Sequence, residues 1–192
     1  MPQSSDLPIL SFATPKAWEG WVSKHLTGDG LWLKIAKQGA RTKSVTYQEA
    51  LEVALCYGWI DGQKKTLDHE YWLQRFGPRG PRSIWSKINR DKARKLEQEG
   101  RMKPAGLAAI GAAKRSGQWD RAYEGQKIAE PPVDLLKALK ARPKAAAFFK
   151  TLDSRNRYSV LFRIHNAKKA ETRATRIEKF VTMLERHEKI YP

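Results

Sequence analysis

The chain has 192 residues, 41% of them hydrophobic and seven of them Trp, enough apolar material for a packed core and too much for a disordered polymer. Its single cysteine, Cys56, excludes an intramolecular disulfide framework and any multi-cysteine metal site. The net charge of +17 is uneven: residues 1–78 carry 9 Lys/Arg against 8 Asp/Glu, residues 79–121 carry 12 against 4, residues 122–139 carry 2 against 3, and residues 140–192 carry 14 against 5.

Such a field draws nucleic acid or other anionic ligands without naming one, and a solubilising role for basic helix faces is the plain alternative. Cys56 lies in the apolar run "ALEVALCYGW", where a buried inert thiol is expected. The first residues, "MPQSSDLPIL", lack the pattern of a signal peptide, and no apolar run reaches the length of a membrane span. A cytoplasmic protein with no transmembrane insertion is the expectation.

Along the chain, Thr14 is placed to cap a helix starting at Pro15, with Trp18, Trp21, Val22 and Leu26 at helical spacing. After the turn "TGDG", Leu31, Leu33 and Ile35 alternate with Trp32, Lys34 and Ala36 as in a half-buried strand. Thr46 and Glu49 form a capping box for a helix ending at Gly58, with Tyr47, Leu51, Ala54 and Leu55 on its stripe. The segment "GWIDGQKKTLDHEYWLQRF" predicts a hairpin with arms near Trp59–Lys65 and Glu70–Phe76, placing Trp59, Asp61, Gln63 and Lys65 on one face.

"GPRGPRS" interrupts regular structure, and a helix is expected from about Ser83 to Glu99 with Ile84, Ile88 and Leu96 inward, then a short helix from Pro104. Residues 122–132 look like a linker. Beyond it Leu135, Leu136 and Leu139, then Phe148 and Leu152, then Tyr158, Leu161, Phe162 and His165, and finally Ile177, Phe180, Val181 and Leu184 mark successive helices. The expected class is α+β: a small antiparallel sheet with helices in residues 1–121, a linker and first helix in 122–142, and a helical C-terminal domain in 143–192 packed on it.

No nucleotide-binding, nucleophile-elbow or zinc-protease motif is present, and His25, His69, His165 and His187 are scattered, so no metal and no cofactor is implied. His165 reads as a satisfied core or interface histidine. Asp61, inside "GWIDGQKK", needs a partner if it turns inward, either one of Lys64, Lys65, Arg75, Arg79 and Arg82 or a local turn with Gly62; as a lone carboxylate it makes a thin catalytic site.

The richest stretch is "RFGPRGPRSIWSKINRDK", Arg75 to Lys92. Arg75, Arg79, Arg82 and Lys87 suit phosphate or carboxylate, Trp85 suits stacking on a base or a guanidinium, and Ser83 and Ser86 stand where helix amides would face an anion. The structural alternative is that Ser83 only caps, Trp85 fills a joint, and the arginines pair with Asp61 or with carbonyls. In "AKKAETRATRIEKF", Arg173 and Arg176 flank the apolar stripe, where arginines close over a groove or cap a neighbouring helix C-terminus.

The runs "LWLKIAKQG", "SVTYQEALEVALCYGWIDGQKK", "YWLQRFGPRGPRSIWSKIN", "GRMKPAGL" and "AKKAETRATRIEKFVTMLERHE" together resemble the YdeI/OmpD-associated family of bacterial proteins, also described as bacteriocin-protection proteins. The family's own domain corresponds to about Pro143 to Lys189. Gly77 and Gly80 depart from the family pattern, which favours Thr after "RF" and Arg between the prolines. The resemblance implies a role in stress response or bacteriocin protection and supplies no catalytic residue set. The sequence therefore favours a non-enzymatic protein that binds an anionic ligand or polyanion through a basic Arg/Trp surface. A small-molecule enzyme or sensor with Asp61 in a pocket, and a module for a protein partner, are the alternatives.

Overall fold

The computed structural model describes residues 7–126 and 128–192. Contacts divide the chain into two units, Met1–Ala122 and Tyr123–Pro192. The class is α+β, with every strand in the first unit.

In the first unit β1 (Ile9–Leu10), β2 (Leu31–Ala36), β3 (Trp59–Thr66) and β4 (Tyr71–Pro78) form one sheet in the order β1-β2-β4-β3. β1 runs parallel to β2, so the sheet is mixed rather than wholly antiparallel. A strand of two residues is too short to show alternation in the sequence. Leu31, Leu33 and Ile35 of β2 and Phe76 of β4 face a core completed by α1 (Pro15–Val22), α2 (Tyr47–Cys56), α3 (Lys87–Gln98) and α4 (Pro104–Arg115). α1 is capped by Thr14 and stops at Val22, which leaves Leu26 beyond it and exposed. The capping box forms: Glu49 N–H donates to Thr46 Oγ1 and Thr46 N–H to the Glu49 carboxylate, at 3.3 and 2.9 Å.

The hairpin departs from simple alternation. Asp61 pairs with Phe76 and Lys64 with Gln74, so three residues advance on β3 against two on β4, which is a bulge. Trp59 and Asp61 therefore stay on the core side while Lys65 moves to the outer face opposite Leu73, and the single face predicted for Trp59, Asp61, Gln63 and Lys65 does not form. The buried Gln74 side chain holds the bulge by donating to the carbonyls of Gly62 and Gln63 at 2.9 and 3.2 Å.

α3 starts later than predicted. Ser86, not Ser83, is its N-cap and accepts from Asn89 N–H at 3.1 Å, while Ser83 Oγ accepts from Gly80 N–H inside a turn. The shifted start buries Asn89, Ala93 and Leu96 and leaves Ile88 59% exposed, because Ile88 sits about 100° round the helix from Asn89. α4 packs closely on the end of α2: a Cβ on Gly106 would lie 2.2 Å from the Cys56 carbonyl oxygen, so only glycine fits there.

The second unit is helical: α5 (Val133–Lys140), α6 (Pro143–Thr151), α7 (Ser154–His165) and α8 (Ala170–Glu185). Its core joins Leu135, Leu139, Phe149, Val160, Leu161, Ile164, Ile177, Phe180, Val181 and Leu184. The stripe of α8 is as predicted. On α7 the buried positions are Asn156, Val160, Leu161 and Ile164, and His165 is exposed rather than in the core, because the inward face lies one residue N-terminal of the predicted one. Leu136 is exposed for the same kind of reason. Asn156, 1% exposed, is fully used: Nδ2 donates to Asp153 and to the Tyr191 carbonyl, and Oδ1 accepts from the Ile190 and Tyr191 amides.

Two buried tryptophans of the first unit differ in one respect. Trp18 Nε1 donates to the Ala50 carbonyl at 3.1 Å, whereas Trp59 Nε1 is buried without an acceptor, edge-on to Trp18 and Trp21. Replacing Trp59 by Phe removes an unsatisfied donor, and replacing Trp18 by Phe removes a made hydrogen bond. Trp18→Phe is expected to destabilise by about 1 kcal/mol more than Trp59→Phe, measured as urea midpoints at unchanged m.

Candidate anion-binding site

Asp61 shares the core side of β3 with Trp59 and so faces the helices. Its Oδ2 accepts from the Tyr47 hydroxyl at 2.9 Å and its Oδ1 from Asn89 Nδ2 at 3.2 Å. These donors come from the first turn of α2 and the buried face of α3, so one carboxylate ties β3 to two helices. The expected cationic partner or local turn with Gly62 is replaced by two neutral donors, because the core side of β3 at Asp61 meets Tyr47 of α2 and Asn89 of α3. Tyr47 and Asn89 were not legible as its partners. Tyr47 reads as a helix-stripe residue, and Asn89 lies 28 positions away.

Between β4 and α3 the segment Pro78–Ser86 separates two clefts of the first unit. One, of about 380 Å³, is lined by Asp29, Asp61, Gly62, Arg75, Gly77 and Ser83 among others. The other, of about 350 Å³, is lined by Arg79, Ser83, Trp85, Ser116 and Gln118 over a floor of Ala109, Ala112 and Ala113. Ser83 borders both. Arg79 lays its guanidinium carbon 3.5 Å from the Trp85 ring centre and donates to the Ile84 carbonyl at 3.2 Å. Trp85 is 2% exposed and packs edge-on against Trp119, so it stacks the Arg79 plane and has no face left for a base. Arg82 is exposed and Lys87 half-buried at the start of α3.

Much of the remaining positive charge serves the fold. Lys92 and Arg101 reach Glu52 at 3.2 and 3.0 Å; burial works against the Glu52 carboxylate, yet these two cations hold its pKa below the usual range. Arg90 and Arg94 both reach Asp91. In the second unit Arg173 grips Asp134 through Nε and Nη2 at 2.5 and 2.9 Å and donates Nη1 to the Ile164 carbonyl. Arg176 donates to the Arg163 carbonyl. Arg173 and Arg176 therefore cap the C-terminal end of α7, the second of the two roles their spacing allowed.

A pocket of about 90 Å³ in the second unit is lined by Tyr158, Phe162, His165 and Arg173 among others, well below the size of a usual ligand site. Burial pushes the Tyr158 hydroxyl up to about 12, and that hydroxyl donates to the Glu124 carbonyl at 3.2 Å. Burial also raises the Cys56 thiol, which keeps it protonated and unreactive. Among the described residues no group of three or more His, Cys, Asp or Glu is arranged to hold a metal ion, and no helix is long and apolar enough to cross a membrane.

Two outcomes follow from these contacts. Asp61→Ala leaves the Tyr47 hydroxyl and the Asn89 amide without their acceptor and is expected to cost about 2–3 kcal/mol in denaturant unfolding of the first unit. The hydrogen bond from Arg173 holds Asp134 below the ordinary Asp range. A depressed carboxyl contributes stability that is present above the unfolded Asp pKa of about 3.9 and is lost as pH falls through the folded value. The thermal midpoint of the parent should exceed that of Asp134→Asn at pH 7, and the gap should close below about pH 4.

Comparison with curated proteins and with solved structures gives no match. Family models match both units. Residues 10–109 match a domain of unknown function (DUF8412), and residues 129–187 match the family described as bacteriocin-protection, YdeI or OmpD-associated. The first match spans just over half of the chain and lies within the first unit; the second lies within the helical unit. The chain thus belongs to the family of the DUF8412 domain and, through its helical unit, to the bacteriocin-protection, YdeI or OmpD-associated family.

Proposed function

We propose that this protein binds an anionic ligand through the first unit, at the Pro78–Ser86 segment, and that it acts by binding rather than by catalysis. The observation that carries the reading is the pair of clefts flanking that segment, each within the ordinary size range of ligand sites and each holding one guanidinium, Arg75 in one, beside Asp29 and Asp61, and Arg79 in the other. Arg79 is held by its stack on Trp85 and its bond to the Ile84 carbonyl, which fixes its charge beside the second cleft. Ser83 adds a hydroxyl beside both clefts. Arg82, exposed on the same loop, supplies the outer charge. Arg173 and Arg176 drop out of this surface, since their donors are engaged within the helical unit. The description of the family matched by that unit supports reading the binding event as part of protection against bacteriocins or a related stress.

Calorimetric titration with pyrophosphate at low ionic strength tests the reading. Binding should weaken about tenfold in Arg79→Lys, which keeps the charge but loses the planar fork, and by a smaller factor in Arg82→Ala. Absence of pyrophosphate binding by the parent protein would overturn the proposal.

A second reading, with Asp61 as the acid of a small-molecule site, has in its favour that Asp61 borders the 380 Å³ cleft. It requires Asp61→Asn to abolish function in cells while the thermal midpoint stays unchanged; a large fall in the midpoint would mark Asp61 as a structural tie.

A further inference from the structure

The sheet has one face covered by helices and an outer face with its own chemistry. On that outer face the residues of β2, β4 and β3 stand in register: Lys34 opposite Leu73 and Leu73 opposite Lys65, with Trp32 opposite Arg75 in the next row. Two strand spacings separate the Lys34 and Lys65 backbones, about 10 Å, and Arg75 follows Leu73 along β4 by about 7 Å. Three cations thus occupy a compact triangle.

The two lysines are pre-positioned. Lys34 Nζ lies 3.8 Å from the Tyr71 ring centre and Lys65 Nζ 4.2 Å from that of Trp32. Beneath them Leu7, Trp32 and Leu73 form a small buried cluster that the lysine stems help to cover. The ion pairs among the described residues use Arg90, Lys92, Arg94, Lys95, Arg101, Lys103, Arg142 and Arg173, and none uses Lys34, Lys65 or Arg75. Asp68 feels Lys34 through space, and Asp29 and Asp61 line the cleft beside Arg75, so that corner offers carboxylate acceptors as well as a cation. At the Arg75 corner the face runs into the 380 Å³ cleft walled by Gly28, Gly62 and Gly77.

We infer that this outer face binds single-stranded nucleic acid by its phosphodiester backbone, Lys34, Lys65 and Arg75 contacting successive phosphates and the cleft receiving one nucleotide. The inference rests on the anion-binding reading above in sharing Arg75 and the cleft, and it adds Lys34 and Lys65. Charge complementarity selects a polyanion, and the cleft selects a single strand, because an unpaired nucleotide fits a cavity of that size and a duplex does not. Trp32 and Tyr71 are 2% and 9% exposed with an ammonium over each ring, so bases cannot stack on them. Recognition is therefore of backbone alone, indifferent to sequence and steeply dependent on salt.

Fluorescence polarisation of a labelled 12-nucleotide single strand, across a salt series, tests this on the whole chain. Three phosphate contacts give a slope of log K against log salt of about −2. Lys34→Gln with Lys65→Gln keeps stems over the rings and should reduce the slope by about 1.4 while leaving pyrophosphate binding unchanged. Lys144→Gln with Lys150→Gln, an equal loss of charge on an exposed part of α6, should leave oligonucleotide binding near the parent value. The inference is overturned if the two double variants behave alike, if a duplex of the same length binds as tightly as the single strand, or if pyrophosphate binds and the oligonucleotide does not. Failure with pyrophosphate alone would remove the loop reading and leave the sheet face standing.

Discussion

The arrangement of the first unit turns on one buried amide. Gln74 sits on the core side of β4, and its Nε2 amide donates to the Gly62 and Gln63 carbonyls at the bulge in β3. Bulged carbonyls at a sheet edge would otherwise depend on water, and β3 is an edge strand. Fixing the bulge fixes the parity of everything after it. Asp61, before it, shares the core side with Trp59 and meets Tyr47 and Asn89 there, whereas Lys65, after it, faces outward over Trp32. Were the strand regular, a one-residue change of parity would send Lys65 to the core side.

The charge of the chain divides along similar lines. A large excess of Lys and Arg suggests a broad adhesive surface, yet many of these side chains are committed: Lys92 and Arg101 to Glu52, Arg142 to Glu178 and Glu185, and Arg173 to Asp134. Exposed pairs of this kind add little stability each, about 0–1 kcal/mol, but they cancel charge locally and so remove those residues from any ligand's view. Of the cations outside these pairs, those at the loop after β4 and on the outer sheet face stand on or beside rigid elements. A local excess on rigid elements binds differently from a diffuse one, since its cations are already placed and lose little freedom on contact.

How far the sequence spoke depended on range. Helix starts set by short-range chemistry were legible: Thr14 before Pro15, the Thr46–Glu49 box, and the stripe of α8 all form as their spacing implies. The start of α3 was not, because Ser83 and Ser86 are both acceptable caps and the choice falls to tertiary packing, which buries Trp85 against Trp119 and so delays the helix. The site was legible in its charged members and not in their surroundings. Arg79 near Trp85 in sequence does become a stack, whereas the Asp61 partners, the bulge and the lysine row across three strands depend on pairings 8 or more residues apart, which no local period encodes.

The cleft beside Arg75 has its own physical origin. It is walled by Gly28, Gly62 and Gly77, positions where side-chain volume is missing from a tightly built part of the sheet. Next to them Gly30, at φ +96°, brings its loop so close to β4 that a Cβ would stand 2.2 Å from the Phe76 carbonyl oxygen. The loop is therefore held against the strand by backbone packing, and the void in front of it is permanent rather than opened by side-chain motion. A cavity made by absent side chains exposes backbone to whatever enters, and glycines at such a place permit close approach of main chain to a ligand. With Arg75 beside Asp29 and Asp61 in that wall, the cleft carries a cation and carboxylate acceptors together, which suits a polar, hydrogen-bonding group better than an apolar one.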